Sequence, residues 1–150
     1  MINQFVGKYF FLSNFYPSEI IYEEKTYKTV EHFFQAYKTL EDKDREFIQN
    51  APTPKEAKRR GRLVNLREDW DFKRYYIMRI GLILKFIQNP ELNTKLVETR
   101  PHILIEGNFW HDNTWGDCYC SKCKNIEGGN LLGKLLMLLR DTGKNSKIGS

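Results

Sequence analysis

The apolar positions turn helical at Val30. Val30, Phe33, Phe34, Tyr37 and Leu40 recur at the i, i+3, i+4, i+7 spacing of one helix face, which predicts a helix from Val30 to Gln49. Pro52 and Pro54 end it. Thr53-Pro54-Lys55-Glu56 then has the form of a capping box with proline at the first helical position, and the short basic helix it opens stops at Gly61. A second long helix is expected from Asp69 to Asn89. Its later half, Ile80 to Ile87, is apolar almost all round and reads as a central helix. Asn89-Pro90 closes it and caps a helix from Glu91 to Glu98. Ile103-Leu104-Ile105 reads as a short strand, and a last amphipathic helix runs from Asn130 to Asp141 with Gly143 as its stop.

Two stretches lack a helical period. The segment before Val30 reads as extended pieces and turns: Val6 to Leu12 is aromatic and apolar, and Ser13-Asn14-Phe15-Tyr16-Pro17 breaks it. Ile20-Ile21-Tyr22 and Thr26-Tyr27-Lys28 then flank a polar turn as a hairpin. Gly107 to Gly129 has no period at all, and loops of that length are usually functional or mobile. No internal repeat is visible. The expected fold class is mainly α (α+β): a single compact domain over residues 1–150, with a few short N-terminal strands and one near residue 104.

Composition narrows the classes. The chain has 150 residues, 41% hydrophobic and 14% aromatic, so it can bury a core, and a disordered or low-complexity chain is excluded. No apolar run approaches the ~20 residues of a membrane span. Met1-Ile2-Asn3-Gln4-Phe5 is not the basic start of a signal peptide, so a cytoplasmic protein with no membrane partner, and a monomer, is expected. The net charge of +5 permits a phosphate-bearing or nucleic-acid partner without demanding one. Cys118, Cys120 and Cys123 are an odd, closely spaced set and a poor disulfide framework. His111 is a fourth ligand if they bind zinc. The spacing is not that of a paired knuckle, so reduced free thiols are expected and no metal is assigned.

The motifs of P-loop, dinucleotide-binding, zinc-protease and serine-hydrolase sites are absent. Glu31, Gln35 and Lys38 lie on one helical stripe, able to hold a polar substrate. By pattern alone they read as a solvated face, because Asp42, Glu46 and Gln49 continue the stripe. Lys85 interrupts an apolar run and is a candidate nucleophile, although it also shares a polar stripe with Arg74 and Gln88. Lys55, Lys58, Arg59, Arg60 and Arg62 form either a phosphate clamp or a solvated basic face. Trp110 and Trp115 flank Asp112 in the long loop and offer stacking surfaces, and Asn130 offers free helix amides to an anion.

Several strings together resemble the YbiA-like family, also called NADAR (NAD- and ADP-ribose-associated). They are Leu12-Ser13-Asn14-Phe15, Thr29 to Lys38, Gly61-Arg62, Trp70, Lys85-Phe86, Asp112 with Trp115-Gly116, and Asn130 to Met137 with Arg140. The resemblance runs in order from about Gly7 to Asp141. It departs from the shorter bacterial pattern at Cys118–Cys123, where other members carry a Gly-rich stretch. The resemblance implies an N-glycosyl hydrolase, ADP-ribosylglycohydrolase-like, that needs no cofactor. The implied substrate is first ADP-ribosylated guanine in DNA or RNA, as in antitoxins that reverse an ADP-ribosylating toxin. A ribosylated small molecule, an early riboflavin-pathway ribosylaminopyrimidine phosphate, is second, and a non-catalytic ADP-ribose or NAD binding module is the rival. Carried over by position, Glu31 is the catalytic carboxylate, and Lys38, or failing that Lys85, a covalent lysine. Asn14, Phe15, Gln35, Arg62, Trp70, Asp112, Trp115 and Asn130 would bind substrate.

Overall fold

The computed structural model describes residues 1–146, which group into two compact units: Asn14–Pro90, and Met1–Ser13 with the chain from Glu91 onward. The class is the expected one, mainly helical α+β with short strands. No helix among the described residues is long and apolar enough to cross a membrane.

The Asn14–Pro90 unit begins with a hairpin. β1 (Ile20–Tyr22) pairs antiparallel with β2 (Lys25–Tyr27), Ile20 opposite Tyr27. The two turn residues, Glu23 and Glu24, both take positive φ (49° and 66°), the conformation that matches strand twist in a two-residue loop. α1 (Val30–Ala36) follows, with the Thr29 side chain accepting from the His32 amide as N-cap.

The single helix expected over Val30–Gln49 is two. α1 stops at Ala36, and α2 spans Asp42–Gln49. Arginines claim the carbonyls between them: the Arg67 amide donates to Lys38 O (2.8 Å) and Arg45 Nε to Thr39 O (2.8 Å). Carbonyls so engaged are diverted from a continuing helical ladder, and a local periodicity does not report that competition.

α3 (Pro54–Gly61) starts as expected, with Thr53 Oγ1 accepting from the Glu56 amide (3.1 Å). α4 (Trp70–Gln88) is less central than its composition implies. Trp70, Ile77, Met78, Gly81, Leu82, Lys85 and Phe86 are buried, while Phe72, Tyr76 and Ile87 face solvent. A Cβ on Gly81 would meet Phe33 at 3.0 Å and Val30 at 3.2 Å, so α1 and α4 pack at glycine distance. Phe33 also sits edge-on to Tyr22 and Tyr27, with centroids at 5.3 and 5.4 Å.

The second unit carries α5 (Pro90–Glu98), whose first residue falls in the neighbouring unit, then β3 (Gly107–Asn108), β4 (Asp117–Cys118) and α6 (Leu131–Ser146). β3 and β4 pair in parallel. The extended segment expected over Val6–Leu12 is instead a 3-10 helix, Gly7–Leu12, entered through Gly7 at φ +59°. The strand expected at Ile103–Ile105 reduces to one parallel bridge between Leu104 and Ile2. α6 continues through Gly143, because an isolated glycine weakens a helix without obliging it to end. Arg140 anchors this helix: its buried guanidinium donates to His102 O (2.6 Å) and to Thr99 Oγ1 (3.2 Å).

Candidate active site

α1 is buried along its whole length, polar residues included. Glu31 is 8% exposed and Gln35 3%, so the solvated stripe expected from the pattern is an interior one. Gln35 Nε2 donates to Glu31 Oε2 at 3.3 Å. Gln35 Oε1 and Asn14 Oδ1 are buried acceptors without a hydrogen-bond partner among the described residues. Asn14 sits at the head of α1, where its carbonyl accepts from the Glu31 amide (3.1 Å) and its Nδ2 approaches Met78 Sδ (3.4 Å). Phe15 follows it, half-buried.

Lys38 lies just past α1 and is half-buried. Burial lowers its pKa, Glu31 works against that, and Arg62 and Lys58 lower it further. One buried carboxylate is therefore set among three cations. Lys85 is 0% exposed, and desolvation brings its ammonium down to about 7. Its Nζ lies 5.3 Å from the centre of the Phe86 ring and 5.8 Å from that of Tyr16. The stripe it occupies is that of Met78, Leu82 and Phe86, not the polar one with Arg74 and Gln88.

Other expected residues have different tasks. Trp70 packs on Phe34 (centroids 5.0 Å apart) and supports α1 from behind. Arg59 and Arg60 hold Glu56 at 2.6 and 3.1 Å and pull its carboxyl down to about 2, so these two are not open clamp residues. Arg62 is exposed at the end of α3.

In the other unit asparagines and aspartates wire the aperiodic loop. Asp112 Oδ1 accepts from the Thr114 and Trp115 amides (3.0 and 2.9 Å). Asn108 Oδ1 accepts from the Trp110 and Asp112 amides, and its Nδ2 donates to Asp112 O (2.8 Å). Asn130 donates to Leu104 O (2.9 Å) and accepts from the Glu106 amide (3.0 Å). The anion site expected at Asn130 is not there: the Leu131 and Leu132 amides donate to Thr114 O and Trp115 O. Trp115 is half-buried and Trp110 exposed. His111, Cys118, Cys120 and Cys123, the last three expected as reduced free thiols, converge on one point.

Sequence reasoning missed His32 and Asn108. His32 is buried and donates from Nε2 to Ala51 O (2.9 Å), so Nδ1 accepts from the Thr29 hydroxyl (2.8 Å). Burial keeps the ring below its ordinary pKa and neutral. The available signal was its place between Thr29 and Phe33 at the start of an aromatic-rich helix. Asn108 carried none beyond an Asx-rich loop.

Fold and site together define a small α+β domain built around a buried acid–amide pair beside a perturbed lysine. The NADAR domain profile matches residues 3–142, and the chain belongs to that family. It is 40% identical over 131 residues to N-glycosidase YbiA of Escherichia coli K12, covering 86% of this chain and 78% of that protein. It is 37% identical over 138 residues to N-glycosidase Npun_R5314 of Nostoc punctiforme, covering 89% of this chain and 85% of that one. It is also similar to a chloroplastic riboflavin biosynthesis protein, PYRR, of Zea mays, at 33% identity over 145 residues, though it spans only 22% of that protein. The NMR structure of E. coli YbiA superposes with a TM-score of 0.84 at 35% identity, over 100% of this chain and 90% of that one.

Proposed function

We propose that the protein is an N-glycosidase, hydrolysing the bond between C1 of a ribose and a nitrogen of its base. The carrying observation is the buried Glu31–Gln35 pair with Lys38 beside it, its ammonium made easier to deprotonate. The N-glycosidase names of relatives at 37–40% identity support the same class.

Glu31 stabilises positive charge as it develops at C1, the role a carboxylate plays in glycoside cleavage. Lys38, as the free amine, places its electron pair on C1. The C1–N bond breaks with its pair going to the base nitrogen, which takes up the proton that the Lys38 nitrogen sheds on bonding to C1. The ring oxygen then leaves C1 with its pair and takes up the remaining Lys38 N–H proton, giving a neutral open-chain imine on Lys38. Water adds to the imine while Glu31 accepts a proton from it and passes it to the Lys38 nitrogen. The second proton of that water follows as the bond from C1 to Lys38 breaks, leaving the open-chain sugar and the free amine. The buried acceptors of Asn14 and Gln35 suit the sugar hydroxyls. Lys58 and Arg62 suit a phosphate on the substrate. Lys85, fully enclosed, is the second candidate for the covalent lysine. Phe15 offers surface to a base, while Trp70 acts by positioning Phe34, on which it packs.

For the substrate, the paired state of Arg59 and Arg60 weakens the case for a polymer clamp. Two cations at Lys38 match one phosphate, so a small phosphorylated ribosylamine, such as a ribosylaminopyrimidine phosphate, is the better reading. The riboflavin-biosynthesis name of the maize relative favours it too. ADP-ribosylated guanine is the second reading, favoured by Phe109 and Trp110, 59% and 60% exposed as stacking faces. Purified protein assayed side by side on both, with release of base followed by mass spectrometry, decides. Faster release from the ribosylaminopyrimidine phosphate is expected. Faster release from modified guanine reverses the order. Binding without release from either refutes the glycosidase and leaves an ADP-ribose or NAD reader.

A further inference from the structure

His111 Nδ1 lies 4.0 Å from Cys118 Sγ, 3.3 Å from Cys120 Sγ and 3.5 Å from Cys123 Sγ. All four ligand atoms lie within 4.8 Å of one another. The three cysteines are unbridged. Hydrogen bonding does not account for the arrangement. A neutral imidazole nitrogen offers one lone pair, and three weak S–H donors compete for it. A tetrahedral metal does account for it: with a Zn–S bond of about 2.3 Å and a Zn–N bond of about 2.0–2.1 Å, the N···S separation is about 3.6 Å. The observed separations bracket that value.

We propose that His111, Cys118, Cys120 and Cys123 bind a zinc ion. The site is formed by local backbone chemistry. β4 delivers Cys118, whose amide donates to Asn113 Oδ1 (2.9 Å). The chain then turns through a 3-10 segment, Ser121–Cys123, with the Cys123 amide donating to Cys120 O (3.1 Å), so both ends of the C-x-x-C face inward. His111 takes φ +70°, an unusual conformation for a residue with a Cβ, and its Nδ1 meets the three sulfurs. Cys118 and Cys123 are buried, which keeps two of the thiolates from water. Soft thiolate ligands with one imidazole select zinc over calcium or magnesium. Three thiolates and a divalent ion sum to one negative charge, and exposed Lys122 and Lys124 flank it.

Four protein ligands leave no open position, so the ion is structural and takes no part in bond cleavage. It cross-links a loop that carries Asp112 and Trp115 and has little regular structure of its own. Because ligands gather only in the folded chain, metal binding and loop order are one equilibrium.

The test uses the full-length protein purified from zinc-supplemented cells without chelator. One zinc per chain is expected by elemental analysis, released on titration with a mercurial thiol reagent. Cobalt in its place is expected to show the absorption of tetrahedral coordination together with thiolate-to-cobalt charge transfer. Chelation is expected to lower Tm. Cys120→Ser and the milder His111→Ala are each expected to reduce zinc content and alter the cobalt spectrum. If either variant folds poorly, the wild-type cobalt spectrum and stoichiometry decide. Protein that takes up neither zinc nor cobalt overturns the proposal. So does a wild-type cobalt spectrum without charge transfer, or a Cys120–Cys123 disulfide in freshly isolated protein.

Discussion

Gln35 reaches Glu31 through the space that Gly61 leaves open. The Gln35 amide lies where a Cβ on Gly61 would stand, against Gln35 Oε1, and from there its Nε2 donates to Glu31 Oε2 at 3.3 Å. Gly61 ends α3, and close approach explains it here better than a helix stop does.

Gly61→Ala is therefore expected to displace the Gln35 amide and loosen Glu31. A catalytic group moved by about 1 Å can lose on the order of a hundredfold in rate, and overpacking costs about 1–3 kcal/mol. Glu31→Gln is expected to lose more, about 10²–10⁴-fold in kcat, with the fold kept. Steady-state kinetics with circular dichroism on both variants checks this. Near-normal turnover in folded Glu31→Gln would remove the carboxylate from the mechanism.

Borohydride added during turnover is expected to trap a sugar adduct on Lys38, located by peptide mass spectrometry. Lys38 is half-buried, whereas Lys85 is enclosed at 0% exposure. An adduct on Lys85 would reassign the nucleophile. The absence of any adduct, with Lys38→Ala still active, would leave direct attack by water.

Lys85 makes a pH prediction. Its folded pKa of about 7 lies below the ordinary lysine value, so the unfolded chain binds the extra proton between them. The cost of burying it is complete below pH 7 and disappears as pH rises toward 10. Unfolding free energy of the wild type is expected to rise over that window, by up to about 5 kcal/mol from this group. Lys85→Met is expected to flatten the profile. Denaturant melts at pH 7 and pH 9 compare the two, and an unchanged slope in Lys85→Met would contradict the assignment.

Asn130 joins the Leu104–Glu106 segment to the start of α6 and takes φ +48°. Asn130→Ala loses two hydrogen bonds and replaces a residue that tolerates positive φ with one that does not, for about 2–4 kcal/mol. Asn130→Gly keeps the backbone and is expected to lose about 1 kcal/mol less. Urea unfolding of both separates the terms, and equal losses would show that φ contributes nothing.

Local chemistry made much of the molecule readable. Thr53, Pro54 and Glu56 start α3 through contacts within four residues, and Asn89-Pro90 ends α4 the same way. Lys85 was also readable in principle: it follows Met78 by seven residues and Leu82 by three, which places it on the buried stripe. The blocks Thr29–Lys38 and Asn130–Arg140 carried the family.

Tertiary structure decided the rest, because burial and hydrogen-bond competition depend on partners far along the chain. The helix break after Ala36 depends on Arg67, thirty residues from Tyr37, whose carbonyl its guanidinium binds. Glu31 and Gln35 have the spacing of a solvated stripe, and only the elements packed on α1 turn it inward. Asn130 looked like an anion site until Thr114 and Trp115 supplied carbonyls to the amides after it. His111 and the cysteines looked like an ill-spaced set until β4 and the turn after it brought them around one point. A sequence fixes which atoms each residue offers and over what local period, whereas which atoms meet is settled only when distant segments exclude water together.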